Sequence, residues 1–248
     1  MASTTYINLT NQLLRRLNEV EITQANFPST VGIQTFAKDA INAALRTINS
    51  HHLYWPFNAV STTQVLTAGT LEYAFPTDFK IVDWQSFYIQ KDDTLGNTSR
   101  HLNFVDRKYW EQTAKVLDLD AGTEGRSIPD YVFKGHTLGF GVTPSPDAAY
   151  TVMFNYWKTP ADLAYFGDLP TVPTQFDEVI IQHALYHFYM FRDNIPEAQE
   201  AKVMADSLLS QMRTVLINSD DTMRSGFITR PLSPRTNAIS GDLVDYYG

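Results

Sequence analysis

The sequence contains no cysteine. That excludes disulfides, thiolate nucleophiles and thiolate metal sites, and it suits assembly in a reducing cytoplasm. Long apolar runs are missing too. No stretch approaches the roughly 20 apolar residues needed to span a bilayer. The opening, MASTTYINLTNQLLRR, lacks the basic segment and apolar run of a signal peptide. A soluble chain, intracellular when made and without a membrane partner, is the expectation. Basic clusters are equally scarce: 27 acidic residues face 19 basic ones for a net charge of −8, and the densest basic pair is Arg15–Arg16. Proteins that hold nucleic acid displace counterions with a basic stripe. DNA is therefore not expected as a bound ligand, although an acidic wall would let a duplex pass without sticking.

Catalytic signatures fail one by one, so no catalytic residues, metal or cofactor are expected. His183 and His187 stand four apart on a helix, the spacing that brings two imidazoles to one metal, but no glutamate follows the first and no third ligand is visible. They read as hydrogen-bonded core or interface groups. Asp118–Gly122 (DLDAG) resembles the start of a calcium loop, yet its glycine comes one place early and no glutamate closes twelve residues. Gly139–Phe140–Gly141 lacks the third glycine and the helix of a dinucleotide fingerprint. There is no phosphate-binding GK[ST] loop and no GxSxG elbow. The pairs Asp92–Asp93 and Asp220–Asp221 sit in polar loops, without the apolar pocket that would raise one carboxyl. Trp84, Tyr88, Trp110, Tyr131 and Trp157 suit a sugar-stacking face, but their alternating strand positions read better as core or subunit interface.

What the chain does have is 248 residues with 44% hydrophobic and 13% aromatic content, enough for a substantial core and large permanent interfaces. Helical spacing predicts a helix over Tyr6–Val20 through Leu9, Leu13, Leu14 and Leu17. A second follows Phe27–Pro28–Ser29, with Ile33, Phe36, Ala37, Ala40, Ile41, Ala44 and Ile48 on one face. A third starts at Thr174, capping-box-like with Asp177. Its body, FDEVIIQHALYHFYMF, is apolar on nearly every side and so must be surrounded by protein. The fourth opens at Pro196, with the stripe Ala201, Met204, Leu208, Met212 and Val215.

Between these pairs the pattern turns to alternation. TTQVLT–AGT–LEYAF reads as a hairpin turning at Gly69, and Lys80–Gln90 as one strand. YVFKGHTLGFG and YTVMFNYWK follow as strands around the breaker run Pro144–Asp147. A short helix is expected at Asp106–Gln112, with polar loops at Asp92–Arg100 and Leu117–Arg126. The fold class is therefore α+β: a four-helix core with an antiparallel β-rich insert. The boundaries fall at 1–58 and 161–219 for the helices, 59–160 for the insert and 220–248 for an extended C-terminal arm. The arm has no periodicity and by itself should be disordered. It orders either on another chain or by folding back on its own domain. Its apolar anchors are Phe227, Ile228, Leu232, Leu243, Tyr246 and Tyr247, and its charged ones Arg224, Arg230 and Arg235.

Several runs in order carry a resemblance. NLTNQLLRRLNEVEIT leads to NSHHLYWPFN, where Trp55 and Phe57 introduce TAGTLEYAFPTDF; then come LGFGVTPSPDAAYTVMFNYWKTPADL and LPTVPTQFDEVIIQHALYHFYMF. Together they resemble the head-to-tail adaptor (connector, or tail-tubular A-like) proteins of short-tailed bacteriophages over most of residues 5–217. The resemblance implies a virion structural protein, not an enzyme, assembled into a homo-oligomeric ring, usually a dodecamer, at the head–tail junction. Its partners would be the portal protein, the tail nozzle protein and a tail fibre, with DNA passing through the channel. It gives the arm a role in portal binding through Phe227, Ile228, Arg230, Leu232, Tyr246 and Tyr247. It places Phe176, Ile180, Phe188 and Phe191 at the subunit interface. Two other readings stay open: a tail-associated cell-wall hydrolase and a carbohydrate-binding module.

Overall fold

A computed structural model of the protein describes residues 4–120, 122 and 125–217. Among the described residues the fold is mixed α+β, with six α-helices and two largely antiparallel sheets. The described residues through Leu209 form one compact unit, and those from Ser210 on fall in a second.

Helix α1 (Tyr6–Arg16) turns its leucines inward and ends sooner than expected, because Asn18 takes a positive φ and redirects the chain. Helix α2 (Ile33–His51) buries Ala37, Ala40, Ile41, Ala44 and Ile48 as the spacing requires, but leaves Ile33 and Phe36 partly outside. Helix α5 (Asp177–Phe191) packs against both. The capping box at its start does not form. Thr174 lies in a 3₁₀ turn, Phe176 takes the cap position, and Asp177 instead accepts a hydrogen bond from Thr4 while burial pushes its carboxyl up. Helix α6 (Ile195–Leu216) buries Ala201 and Met212 of the expected stripe together with Ala198, Ala205 and Leu209, leaves Leu208 half-buried and exposes Met204 and Val215. Lys202 lies over the Tyr186 ring of α5.

Asn42 and Lys80 tie neighbouring segments to α2. Asn42 of α2 accepts from the Leu163 amide (3.0 Å) and donates to the Leu163 carbonyl (3.1 Å) and the Tyr6 hydroxyl (3.2 Å). Lys80 donates to the carbonyls of Asn49 and His52, where α2 has run out of its own donors. Beside it the buried Trp55 indole donates to Ile48 O at 2.8 Å.

The insert is a sandwich of two sheets. In the first, β9 (Thr151–Lys158) is central: β1 (Ala59–Val65) pairs on one side, and β3 (Phe79–Val82) and β4 (Tyr88–Ile89) on the other, with β5 (Arg100–His101) beyond β4. The second sheet runs β2 (Glu72–Ala74), β8 (Gly139–Thr143), β7 (Tyr131–Lys134), β6 (Asn103–Val105), with β6 parallel to β7. Phe87 and Phe154 from one sheet meet Phe140 and Val142 from the other in an apolar core.

The expected hairpin across Gly69 is therefore not one. β1 and β2 pair in different sheets, because Leu66 continues the ladder to Tyr150 and the chain then crosses over, with the Gly69 amide bonded to Pro146 O. Lys80–Gln90 is likewise two strands. The Asp83 carboxylate accepts the Gln85 amide and its carbonyl accepts the Ser86 amide and hydroxyl, a local turn that competes with the ladder. The glycines of GFG serve packing: a side chain at Gly139 would strike the Tyr73 carbonyl, and the Phe133 ring lies across Gly141. Trp110 of α3 (Arg107–Thr113) stacks on that ring at 4.2 Å and covers the outer face of the second sheet. Helix α4 (Lys115–Asp120) occupies the start of what reads as a polar loop.

Candidate functional site

A groove runs between α2 and α5. Ala40 and Ala43 form its floor, with Asp39 and His187 along it. Phe36 and Phe191 stack across one end with ring centroids 3.6 Å apart, yet they remain 39% and 55% exposed. Ile33 at the start of α2, Met190 near the end of α5 and Ile195 at the start of α6 are exposed as well. Scattered exposed leucines need no explanation, but a stacked aromatic pair beside a groove marks a surface suited to a protein partner.

Of the four residues expected at a subunit interface, Ile180 and Phe188 are 0% and 1% exposed within the single chain. Phe176 is half-buried, and Phe191 is the one of the four that faces outward. Phe36, its stacking partner, is likewise partly exposed. The portal-binding candidates Phe227, Ile228, Arg230, Leu232, Tyr246 and Tyr247, and the pair Asp220–Asp221, lie outside the described residues. A second surface sits on the insert. Tyr109 and Tyr131 line a groove with Val105 and Thr113, and α4 exposes Val116, Leu117 and Leu119. Three aliphatic residues within six positions of KVLDLD were the available signal for it.

Two of the acidic candidates are held in local hydrogen bonds. Asp118 accepts the Trp110 indole at 2.7 Å and the Ser145 amide at 3.3 Å, pinning α4 to the sheet. Asp92 accepts the Thr94 hydroxyl and amide, which hold its carboxyl below the usual range, the opposite of what a general acid requires. The five sugar-stacking aromatics do not share a platform. Tyr88 and Trp157 lie on one sheet, Tyr131 on the other, Trp84 packs between Phe87 and Phe104, and Trp110 is buried against Phe133. Among the described residues no three histidine or acidic groups gather as a metal site, and no helix is long and apolar enough to cross a membrane.

The two histidines of α5 differ. His187 Nε2 lies 3.2 Å from the Thr47 hydroxyl, whereas His183 is buried with Nε2 unpartnered. Burial depresses the His183 pKa to about 4; Asp206 opposes the shift, and His187 and His51 reinforce it. The unfolded chain therefore takes up a proton between pH 6.5 and about 4 that the folded chain refuses. Stability should fall as pH drops through that window, by up to roughly 3 kcal/mol. Urea denaturation at several pH values, with a His183→Leu variant alongside, checks this. The variant should lose much of the slope, and equal slopes would place the titrating group elsewhere.

A family model described as SU10 adaptor protein matches residues 4–235, nearly the whole chain. No curated protein matches it.

Proposed function

The chain belongs to the SU10 adaptor protein family, and from that premise we propose that it is a virion structural protein joining head to tail in a short-tailed bacteriophage. The extent of the family match carries this reading, since it spans helices and insert alike in one unbroken stretch. In it, copies form a ring, usually of twelve, between portal and tail nozzle. The helices, including α6 as a fourth member of their core, make the wall around the passing DNA. The insert faces the tail components, nozzle or fibre. The protein acts by assembly and not by catalysis.

Ring closure needs one contact between two different faces of the subunit, repeated around the axis. The groove at Phe36 and Phe191 supplies an apolar, shape-defined candidate for one of them. Residues 220–248 form an extended arm that docks on the portal, with Phe227, Ile228, Leu232, Tyr246 and Tyr247 as apolar anchors and Arg230 as a charged one.

Shortening the chain after Asp221 tests the arm. The compact unit ends at Leu209, so the shortened protein should keep its helical circular dichroism and melting temperature while losing co-sedimentation with portal rings. Portal binding at the full-length level would remove the arm from the mechanism. Mass measurement of the intact protein, alone and with portal, tests the ring itself.

A further inference from the structure

The open edge of β1 is the feature that the adaptor reading leaves unused. Antiparallel strands bond through alternate residues. The Leu66 amide donates to Tyr150 O at 2.7 Å, which fixes the phase: Val60, Thr62 and Gln64 point their backbone groups at β9. Those of Ser61, Thr63 and Val65 point the other way. Among the described residues no strand pairs with that side, and the side chains of these three residues are exposed. The other edge strands β2, β5 and β6 have two or three residues each, and β3 carries a register shift at Phe79/Ile81. β1 has seven residues, AVSTTQV, in unbroken register with β9. It contains no lysine, no proline, no charge and no bulge, the devices by which exposed edges are normally kept from pairing. Its one local cover is the Gln64 side chain, which donates to Val65 O at 3.1 Å and leaves that carbonyl a second lone pair.

We propose that this edge pairs with the same edge of a second copy, antiparallel about a two-fold axis at Thr63. The sequence is complementary to itself in that register. Thr63 faces Thr63, and Ser61 faces Val65 on both sides, so no like charges meet and hydroxyl or β-branched side chains lie opposite one another. About six backbone hydrogen bonds would form, two at each of three facing pairs. Such a contact uses one patch twice and closes at two copies. It is independent of the ring reading, which needs two different patches, and it joins two inserts into one continuous sheet.

The absence of cysteine makes the test direct, because an introduced thiol is unique. In the proposed register Thr63 lies about 5.5 Å from its counterpart between Cα atoms, within disulfide reach. The full-length Thr63→Cys protein should give a disulfide-linked dimer under mild oxidation. Ser61→Cys alone should not, and Ser61→Cys combined with Val65→Cys should. By light scattering the unmodified protein should reach twice the monomer mass as concentration rises. Thr63→Lys should stay monomeric with an unchanged melting temperature. Thr63→Pro should behave likewise, because the amide it removes faces away from β9. A wild-type monomer over the whole soluble range with no cross-linking at Thr63 would overturn the proposal. So would equal cross-linking of the Thr63→Cys and Ser61→Cys proteins, which is the signature of random collision.

Discussion

Replacing Asn42 by leucine should lower the folding stability by about 4 kcal/mol. The change keeps the branched shape, adds some volume and raises the hydrophobicity, so an area argument alone would predict little loss. The cost comes from the groups left behind. Asn42 satisfies both the amide and the carbonyl of Leu163, and all of these atoms are buried. A buried donor or acceptor stripped of its partner costs about 1–3 kcal/mol, and leucine strands two of them. The Tyr6 hydroxyl loses one contact but keeps Lys38 O at 2.9 Å. Asn11 provides an internal comparison, since it holds the amide and carbonyl of Ile22 in the same way, at 2.8 and 2.9 Å, from a half-buried position. Water can replace Asn11 there, so Asn11→Leu should cost about 1 kcal/mol. Urea titration of both variants measures the difference. Equal losses would mean that burial does not set the cost.

Phe154→Ala should destabilise the protein by a similar amount, about 4 kcal/mol, for the opposite reason. Phe154 sits mid-strand on β9, the strand that all of β1, β3 and β4 use as a partner. Its ring stacks on Phe87 at 4.8 Å and meets Phe140 at 5.4 Å and Phe75 at 5.8 Å. Truncation opens a void among stiff rings held by two sheets, which cannot collapse to fill it. The insert and the first five helices belong to one compact unit. Helical circular dichroism and tryptophan fluorescence, with three of the four tryptophans in the insert, should therefore follow one denaturation curve. Two separated curves would show that the insert unfolds on its own.

The parts of this fold that could be read from the sequence are those fixed by neighbours along the chain. The 3.6-residue spacing located α1, α2, α5 and α6, and alternation with dense β-branched and aromatic residues located β9. Strand pairing was hidden because it depends on distant residues. Nothing between Thr62 and Phe75 shows that β1 seeks β9 some ninety positions later while β2 joins the other sheet. The break after Val82 was visible in principle, since Asp followed by Ser three residues on is a turn signal, but the surrounding Ile, Val, Trp, Phe and Tyr outweighed it. Side-chain outcomes were harder still. Phe36 and Phe188 both lie on apolar helical faces, and only the packed layer decides that one is outside and the other inside. On α6, Ala201 and Met212 of the expected stripe are buried, but Met204 and Val215 are exposed while Ala198, Ala205 and Leu209 take inner positions, which residue size alone does not reveal.

The contact of Lys80 with the end of α2 has a mechanical side. Helix–sheet junctions that hinge do so where a short loop is free to absorb rotation. Here the chain leaves α2 through Trp55, whose indole is bonded back to Ile48, and the Lys80 ammonium from β3 grips two carbonyls of the same helix end. With Lys80 as the rivet, a push on the insert should be delivered to the long axis of α2 instead of bending the joint.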